Sequence, residues 1–312
     1  MGQVQFGLLV PEYPLHAPRR HLYMEDVNRL LAYVKGHYDS AWFIDHLEGP
    51  VLEGWTALTY LSALHPELLW GHSVLCQSFR NPALLSKMGA TLHSMSGGRF
   101  ILGIGAGGAE ADYRAYGYRF PPGSTRVAEL DEALHLIKAM WTQERTTFDG
   151  RYYSTQGARC EPKPDRMPTI MVGAYRPKML RLVARHADWW NVSSTGIAAY
   201  RRYVDEFQRA CTEVRREPAT VRRVWAGGCV CAPTEAEVAD LVAERPQVLG
   251  EEYAYQVGED FVGTPTQIIE QMQPFIELGV DYFLLDCGGF PRLTTVEMLV
   301  NEVQPALNSE TP

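Results

Sequence analysis

Short apolar strands alternate with amphipathic helices along this chain from end to end, and that alternation constrains the fold more than any single motif. Strand candidates are Val4–Val10, Ala41–Ile44, Leu69–Cys76, Phe100–Ile104, Thr169–Val172, Asp188–Val192, Val221–Cys231 and Asp281–Asp286. Between them run helical patterns with apolar residues at three- and four-residue spacing. Tyr23–Val34 buries Val27, Leu30, Leu31 and Val34, and Trp55–Leu64 follows. Asn81-Pro82 reads as an N-cap and first helical residue ahead of Leu85, Met88, Leu92 and Met95. Later helices centre on Arg126–Trp141, on Pro177 with Leu180, Val183 and Ala187, and on Tyr200, Val204, Phe207, Cys211 and Val214. Glu235–Val248, a helix begun by Thr264-Pro265 with Ile268, Met272 and Phe275 inward, and Thr295–Leu307 complete the set. Strand–helix alternation implies parallel β/α units. Eight such units in 312 residues predict an α/β fold, a (β/α)8 TIM barrel with insertions, as one domain over 1–312. Only 146–160 breaks the rhythm: Phe148-Asp149-Gly150-Arg151-Tyr152-Tyr153 reads as an inserted hairpin with an Asp-Gly turn.

Composition narrows the function classes. The formal net charge is −8 with no basic run, a poor match to nucleic acid. No apolar run is long enough to span a bilayer, and no signal-peptide pattern opens the chain, so a cytoplasmic location is expected. Met1-Gly2 invites a myristoylation reading, but Phe6 stands where Ser or Thr is needed. The six cysteines form no C-x-x-C pair and read as reduced apolar side chains; Cys229 and Cys231 fall on one face of a strand. The nine histidines show no H-E-x-x-H or comparable spacing, so no metal site is expected.

In a barrel, chemistry belongs to the loops after the strands. Among those loops His46, Glu110 and Asp112 are the ready proton-transfer groups. Ser96-Gly97-Gly98-Arg99 precedes a strand that ends in a glycine-rich loop, Gly105-Ala106-Gly107-Gly108, where backbone can approach a ligand closely. Gly103, Gly105 and Gly108 also fit G-x-G-x-x-G, but the next acid, Glu129, lies within a helical run and no strand intervenes, which argues against a dinucleotide fold. Gly173-Ala174-Tyr175-Arg176-Pro177 ends a strand and opens a helix, an arrangement suited to phosphate or to a plain tight turn. Arg176, Lys178, Arg181 and Arg185 read as a solvated helix face, with contact to an acidic tail as the alternative.

Taken in order, several of these segments resemble the bacterial luciferase-like monooxygenase superfamily over essentially the whole chain. The resemblance rests on Arg80-Asn81-Pro82-Ala83-Leu84-Leu85-Ser86-Lys87, Ser96-Gly97-Gly98-Arg99, Gly105-Ala106-Gly107, Asp112-Tyr113, Tyr116-Gly117, Phe148-Asp149-Gly150, Pro162-Lys163-Pro164, Ala187-Asp188-Trp189 and Gly263-Thr264-Pro265. It implies a TIM barrel and an oxidoreductase with a flavin-type cofactor. The pattern is most similar to the short-chain branch that uses the deazaflavin coenzyme F420 to exchange hydride with a small organic substrate. Two alternatives stand beside it. One is a two-component monooxygenase using reduced FMN and oxygen, with a flavin reductase as partner. The other is a non-catalytic flavin-binding relative. The resemblance further implies a homodimer, and a non-prolyl cis peptide at Ser73-Val74 behind the ring. Gly105, Ala106 and Gly107 would lie beside the cofactor, Gly173, Ala174, Tyr175 and Arg176 would form the phosphate loop, and His46 would face substrate as the catalytic group. Departures include Gly108 where some relatives carry glutamate, Asp112 in place of a usual glutamate, His72 where threonine is common and Trp189 where glycine is common. The last two are expected to reshape the pocket.

Overall fold

The computed structural model describes residues 3–309, so the Met1-Gly2 pair lies outside the described residues. In chain order the strands are β1 (Gln5–Leu9), β2 (Ser40–Phe43), β3 (Leu69–His72), β4 (Leu75–Cys76), β5 (Phe100–Gly105), β6 (Thr146–Asp149), β7 (Ser154–Ala158), β8 (Thr169–Gly173), β9 (Trp189–Ser193), β10 (Arg222–Cys231), β11 (Phe261–Gly263) and β12 (Val280–Cys287). Parallel pairing runs β1-β2-β3-β5-β8-β9-β10-β12, and β12 returns to β1, which closes an eight-stranded barrel. The single third strand expected over Leu69–Cys76 is divided at Ser73-Val74, which is a cis peptide. β11 was not legible in the sequence: it has three residues, and it extends the sheet only beside the end of β10.

The helices are α1 (Tyr23–Val34), α2 (Gly54–Leu64), α3 (Pro82–Met95), α4 (Glu110–Ala115), α5 (Gly123–Thr142), α6 (Pro177–His186), α7 (Ile197–Glu213), α8 (Glu235–Leu249), α9 (Pro265–Glu277), α10 (Thr294–Met298) and α11 (Gln304–Asn308). The expected terminal helix is interrupted by a π-helical turn at Leu299–Val303. Asn81 caps α3 as expected, its side-chain oxygen accepting from the Ala83 and Leu84 N–H groups. Met95, placed on that helix's buried face by spacing, is 75% exposed; it is the last residue of α3, and Leu92 and His93 fill the buried side of the final turn.

Two apolar layers hold the barrel. An outer layer joins strands to helices, with Leu30, Leu58, Leu85 and Ile137 among its members. The inner layer fills the barrel with Trp42, Ile101, Met171, Val224, Ala226, Tyr282 and Leu284. Trp42 on β2 occupies space left by glycines on both neighbouring strands: a Cβ on Gly7 would lie 3.0 Å from its Nε1, and one on Gly71 would lie 2.4 Å from its ring. Its indole N–H donates to Ser40 Oγ, which bonds Tyr282 Oη at 2.7 Å, so the buried polar atoms are satisfied inside the barrel.

β6 and β7 form the expected antiparallel hairpin, but its turn differs from the sequence reading. Asp149 pairs with Ser154, leaving the four residues 150–153 as the loop, so Asp-Gly is not a two-residue turn. Glu132 on α5 explains the longer loop, since its carboxylate accepts N–H bonds from Arg151, Tyr152 and Tyr153 at 2.6–2.9 Å.

Candidate active site

The C-terminal ends of β2, β4, β5, β8 and β9 open into one cleft of about 1040 Å3. His46, Ser73, Val74, Gly105, Ala106, Gly107, Gly173, Ala174, Tyr175 and Arg176 all line it, so segments spread over 130 residues of chain meet in one place. The helix starts of α5 and α6 complete the wall.

The floor explains two of the glycines. Val74 projects between β5 and β8, and a Cβ on Gly105 or Gly173 would come within 2.9 or 3.1 Å of its Cγ2. These glycines therefore make room for Val74, and both also line the cleft. Gly107 has φ +77 and its α-carbon faces Tyr113 Oη and Cys76 Sγ, which bond each other at 3.0 Å. At Gly108 the space is open. Two buried polar atoms of the cleft lack a partner: Ser73 Oγ and Asn191 Nδ2. A buried donor without a partner costs about 1–3 kcal/mol. Both atoms are therefore poised to bond a ligand.

His46 is exposed at the mouth, and the loop that carries it is fixed from two sides. Asp45, buried, takes a two-pronged bond from Arg80 at 2.8 and 2.9 Å and accepts the Cys76 N–H at 2.8 Å. Arg80 also reaches Glu53 at 2.7 Å, whose carboxylate caps α2. On the other side Asp112 accepts the N–H groups of Leu47 and Glu48 at 3.1 and 3.4 Å. Asp112 is thus occupied in holding the loop. Glu110 lies outside the cleft, paired with Arg114 on the surface. Neither acid is left as a ready proton-transfer group, and His46 remains. Sequence reasoning missed the Asp45–Arg80 pair; the signal was present in Asp45-His46 and Arg80-Asn81-Pro82, but only the fold brings them together.

The loop after β8 is tethered by its backbone. Ala174 N–H donates to Asn191 O at 2.9 Å, and the Trp190 indole donates to Ala174 O at 2.8 Å. No side chain caps α6 and Pro177 has no N–H, so the free backbone donors of its first turn are those of Lys178 and Met179, both residues that line the cleft. The four cations read as a solvated face divide. Arg176, Lys178 and Arg181 line the cleft, while Arg185 pairs with Asp131 at 3.0 Å on the outer surface. Arg126, from the start of α5, joins the wall with its Nε on Gly107 O at 3.2 Å.

The two substitutions expected to reshape the pocket lie elsewhere. His72 points outward, stacked on Trp55 at 5.6 Å and fully buried; burial pushes its pKa down to about 4. Trp189 opens β9 at the opposite end of the barrel, against Tyr282 and Trp42. Glu129 sits within α5, bonded by Arg119 at 3.1 Å and Gln77 at 3.4 Å. A second polar group at the mouth went unread in the sequence. Arg245 lies 2.6 Å from Asp286 and 3.5 Å from Glu12. Burial, reinforced by Asp286, pushes the Glu12 carboxyl up to about 8 despite Arg245.

Comparison with known proteins agrees with this geometry. The family model described as luciferase-like monooxygenase matches residues 25–282. An F420-dependent glucose-6-phosphate dehydrogenase of Kineococcus radiotolerans is 27% identical over 300 residues, 86% of this chain and 88% of the relative. One of Beutenbergia cavernae is 34% identical over 172 residues, 51% of this chain and 50% of the relative. Among solved structures, an F420-dependent secondary alcohol dehydrogenase with an F420-acetone adduct has TM-score 0.79 at 18% identity, covering 98% of this chain and 99% of its own. EDTA monooxygenase from Chelativorans sp. BNC1 has TM-score 0.81 at 16% identity, covering 99% and 94%. At those identities the structures establish the shared fold.

Proposed function

Because this chain belongs to the luciferase-like monooxygenase family, we propose that it is an oxidoreductase transferring hydride between coenzyme F420 and a small organic substrate. The observation that carries the proposal is one cleft that holds an exposed imidazole, His46, together with an uncapped, cation-bearing helix terminus. The full-length relatives named as F420-dependent dehydrogenases support the same cofactor.

The cleft suits such a group. Its volume is at the upper end for small-molecule sites. Ser73 Oγ and Asn191 Nδ2 offer unspent hydrogen bonds at the floor. The α6 terminus with Arg176 and Lys178 suits a phosphate and an acidic tail. When bound, the deazaflavin supplies the hydride chemistry. The chain supplies the rest. Val74, seated against Gly105 and Gly173, forms an apolar backing at the floor of the cleft. Ala106 and Gly107 border the cleft where β5 ends, Ala174 and Tyr175 continue the anion-binding loop, and His46 at the mouth takes or returns the substrate proton. The reading includes a cytoplasmic homodimer. Exposed apolar side chains on the outer helices, Tyr60 and Leu64 on α2 and Leu84 and Met95 on α3, support a paired surface, and among the described residues no helix is long and apolar enough to cross a membrane.

The test is a parallel titration with F420 and with oxidised and reduced FMN, followed by absorbance and fluorescence. Binding of F420 with no FMN response is expected, and turnover is then sought among alcohols, imines and enones. Preference for reduced FMN would transfer the reading to a two-component monooxygenase fed by a flavin reductase. Binding of neither would remove the cofactor assignment. His46→Ala is expected to lower kcat about 100-fold or more with F420 affinity kept, as loss of a proton-transfer group does; unchanged turnover would take His46 out of the mechanism.

A further inference from the structure

On the outer surface, away from the cleft, three metal-ligating side chains converge from two helices. Asp131 and His135 stand one turn apart on α5, and His186 ends α6. His186 Nε2 lies 2.7 Å from Asp131 Oδ1, and the two imidazole rings meet edge to face with centroids 4.5 Å apart. One donor atom from each of the three residues falls within 4.8 Å of the others. We propose that Asp131, His135 and His186 form a binding site for a divalent cation of the zinc type, which ties α5 to α6.

The donor set is two imidazole nitrogens and one carboxylate oxygen, the combination that zinc and its first-row neighbours accept, with solvent completing a tetrahedron. Ligand bonds of about 2.1 Å place tetrahedral donors about 3.4 Å apart, so His135 must draw in by about 1 Å while His186 and Asp131, now hydrogen-bonded at 2.7 Å, part slightly and exchange that bond for the metal. His135 is the ligand able to move: its side chain is 56% exposed and is held by one bond, from Nδ1 to the Asp131 carbonyl at 2.9 Å. His186 is 4% exposed and fixed in place against Asp131. The surroundings orient these ligands. Arg185 holds the other carboxylate oxygen, Oδ2, at 3.0 Å and leaves Oδ1 to the site, while Lys138 Nζ bonds the His186 carbonyl at 3.0 Å. Both cations face the site and set its affinity below that of an isolated set of the same ligands. The motif escaped the sequence reading because Asp131-x-x-x-His135 supplies only two ligands and the third arrives from the next helix.

The experiment uses the full-length protein, freed of metal by chelation and titrated calorimetrically with zinc chloride, with cobalt chloride followed by its visible absorbance. One equivalent of zinc is expected to bind and to raise the melting temperature. His135→Ala, at an exposed position, is expected to keep the fold and weaken binding at least tenfold, and His186→Asn to do the same. Absence of binding by the native chain, or equal affinity in His135→Ala, would overturn the proposal. None of the three ligands lines the cleft, so metal binding is read separately from F420 binding.

Discussion

His72, Glu12 and Asp45 show how single side chains couple this fold to pH and charge. His72 is buried neutral with its pKa near 4, so the unfolded chain binds a proton that the folded one does not once pH falls below about 6.5. Its contribution is therefore intact above pH 6.5 and lost as pH falls from there toward 4. Glu12 acts in the opposite sense. With its folded pKa near 8, it stabilises below the ordinary carboxylate range and loses that contribution as pH rises from about 4.5 to 8. Each group changes stability by up to about 1.4 kcal/mol per pH unit within its window. Denaturant unfolding between pH 4 and 8 is expected to show a flatter acid limb in His72→Phe, which keeps the stack on Trp55, and a flatter alkaline limb in Glu12→Gln. Arg80→Ala leaves the Asp45 carboxylate buried without its partner and is expected to cost about 3–5 kcal/mol. An unchanged denaturation midpoint would show that Asp45 needs no counter-charge.

At the scale of elements, two attachments matter. The start of α6 carries Arg176 and Lys178 with no capping side chain. Charge-assisted bonds of this kind are worth about 1.5–3 kcal/mol each. The double variant Arg176→Ala, Lys178→Ala is therefore expected to weaken F420 binding at least tenfold and to flatten its dependence on salt; an unaltered Kd would place the acidic tail elsewhere. The β6–β7 hairpin depends on Glu132, whose carboxylate gathers three backbone N–H groups. In Glu132→Ala the amides of residues 151–153 are expected to exchange faster while the barrel core stays protected, a pattern that hydrogen exchange resolves directly.

At the scale of the whole molecule, closure of the barrel rests on filling its interior. Trp42, wedged between Gly7 and Gly71, is the largest side chain of that layer, and Trp42→Ala is expected to cost about 3–5 kcal/mol by leaving a cavity that strands on both sides cannot collapse into. The same sheet gathers the cleft. The strand ends at Asp45, Val74, Gly105, Gly173 and Asn191 share a rim because β2, β3, β5, β8 and β9 are successive neighbours in the curved sheet, with β4 beside β5.

Local order in the sequence determined most of the elements. Apolar periodicity, the Asn81-Pro82 cap and the proline at the start of α6 act over a few residues, so eight barrel strands and their helices were legible, and so were the glycine loops and His46 at the strand ends. Tertiary structure decided what each residue does there. Gly105 and Gly173 accommodate Val74 because β5 and β8 are neighbours. Asp112 holds a loop 65 residues earlier in the chain through backbone bonds. His72 turns away from the cleft because alternate residues of a strand face opposite sides. Arg185 leaves the other cations of its helix for Asp131. Spacing along a chain encodes which side of an element a residue occupies, but the partner on that side comes from distant sequence and exists only once the barrel has closed.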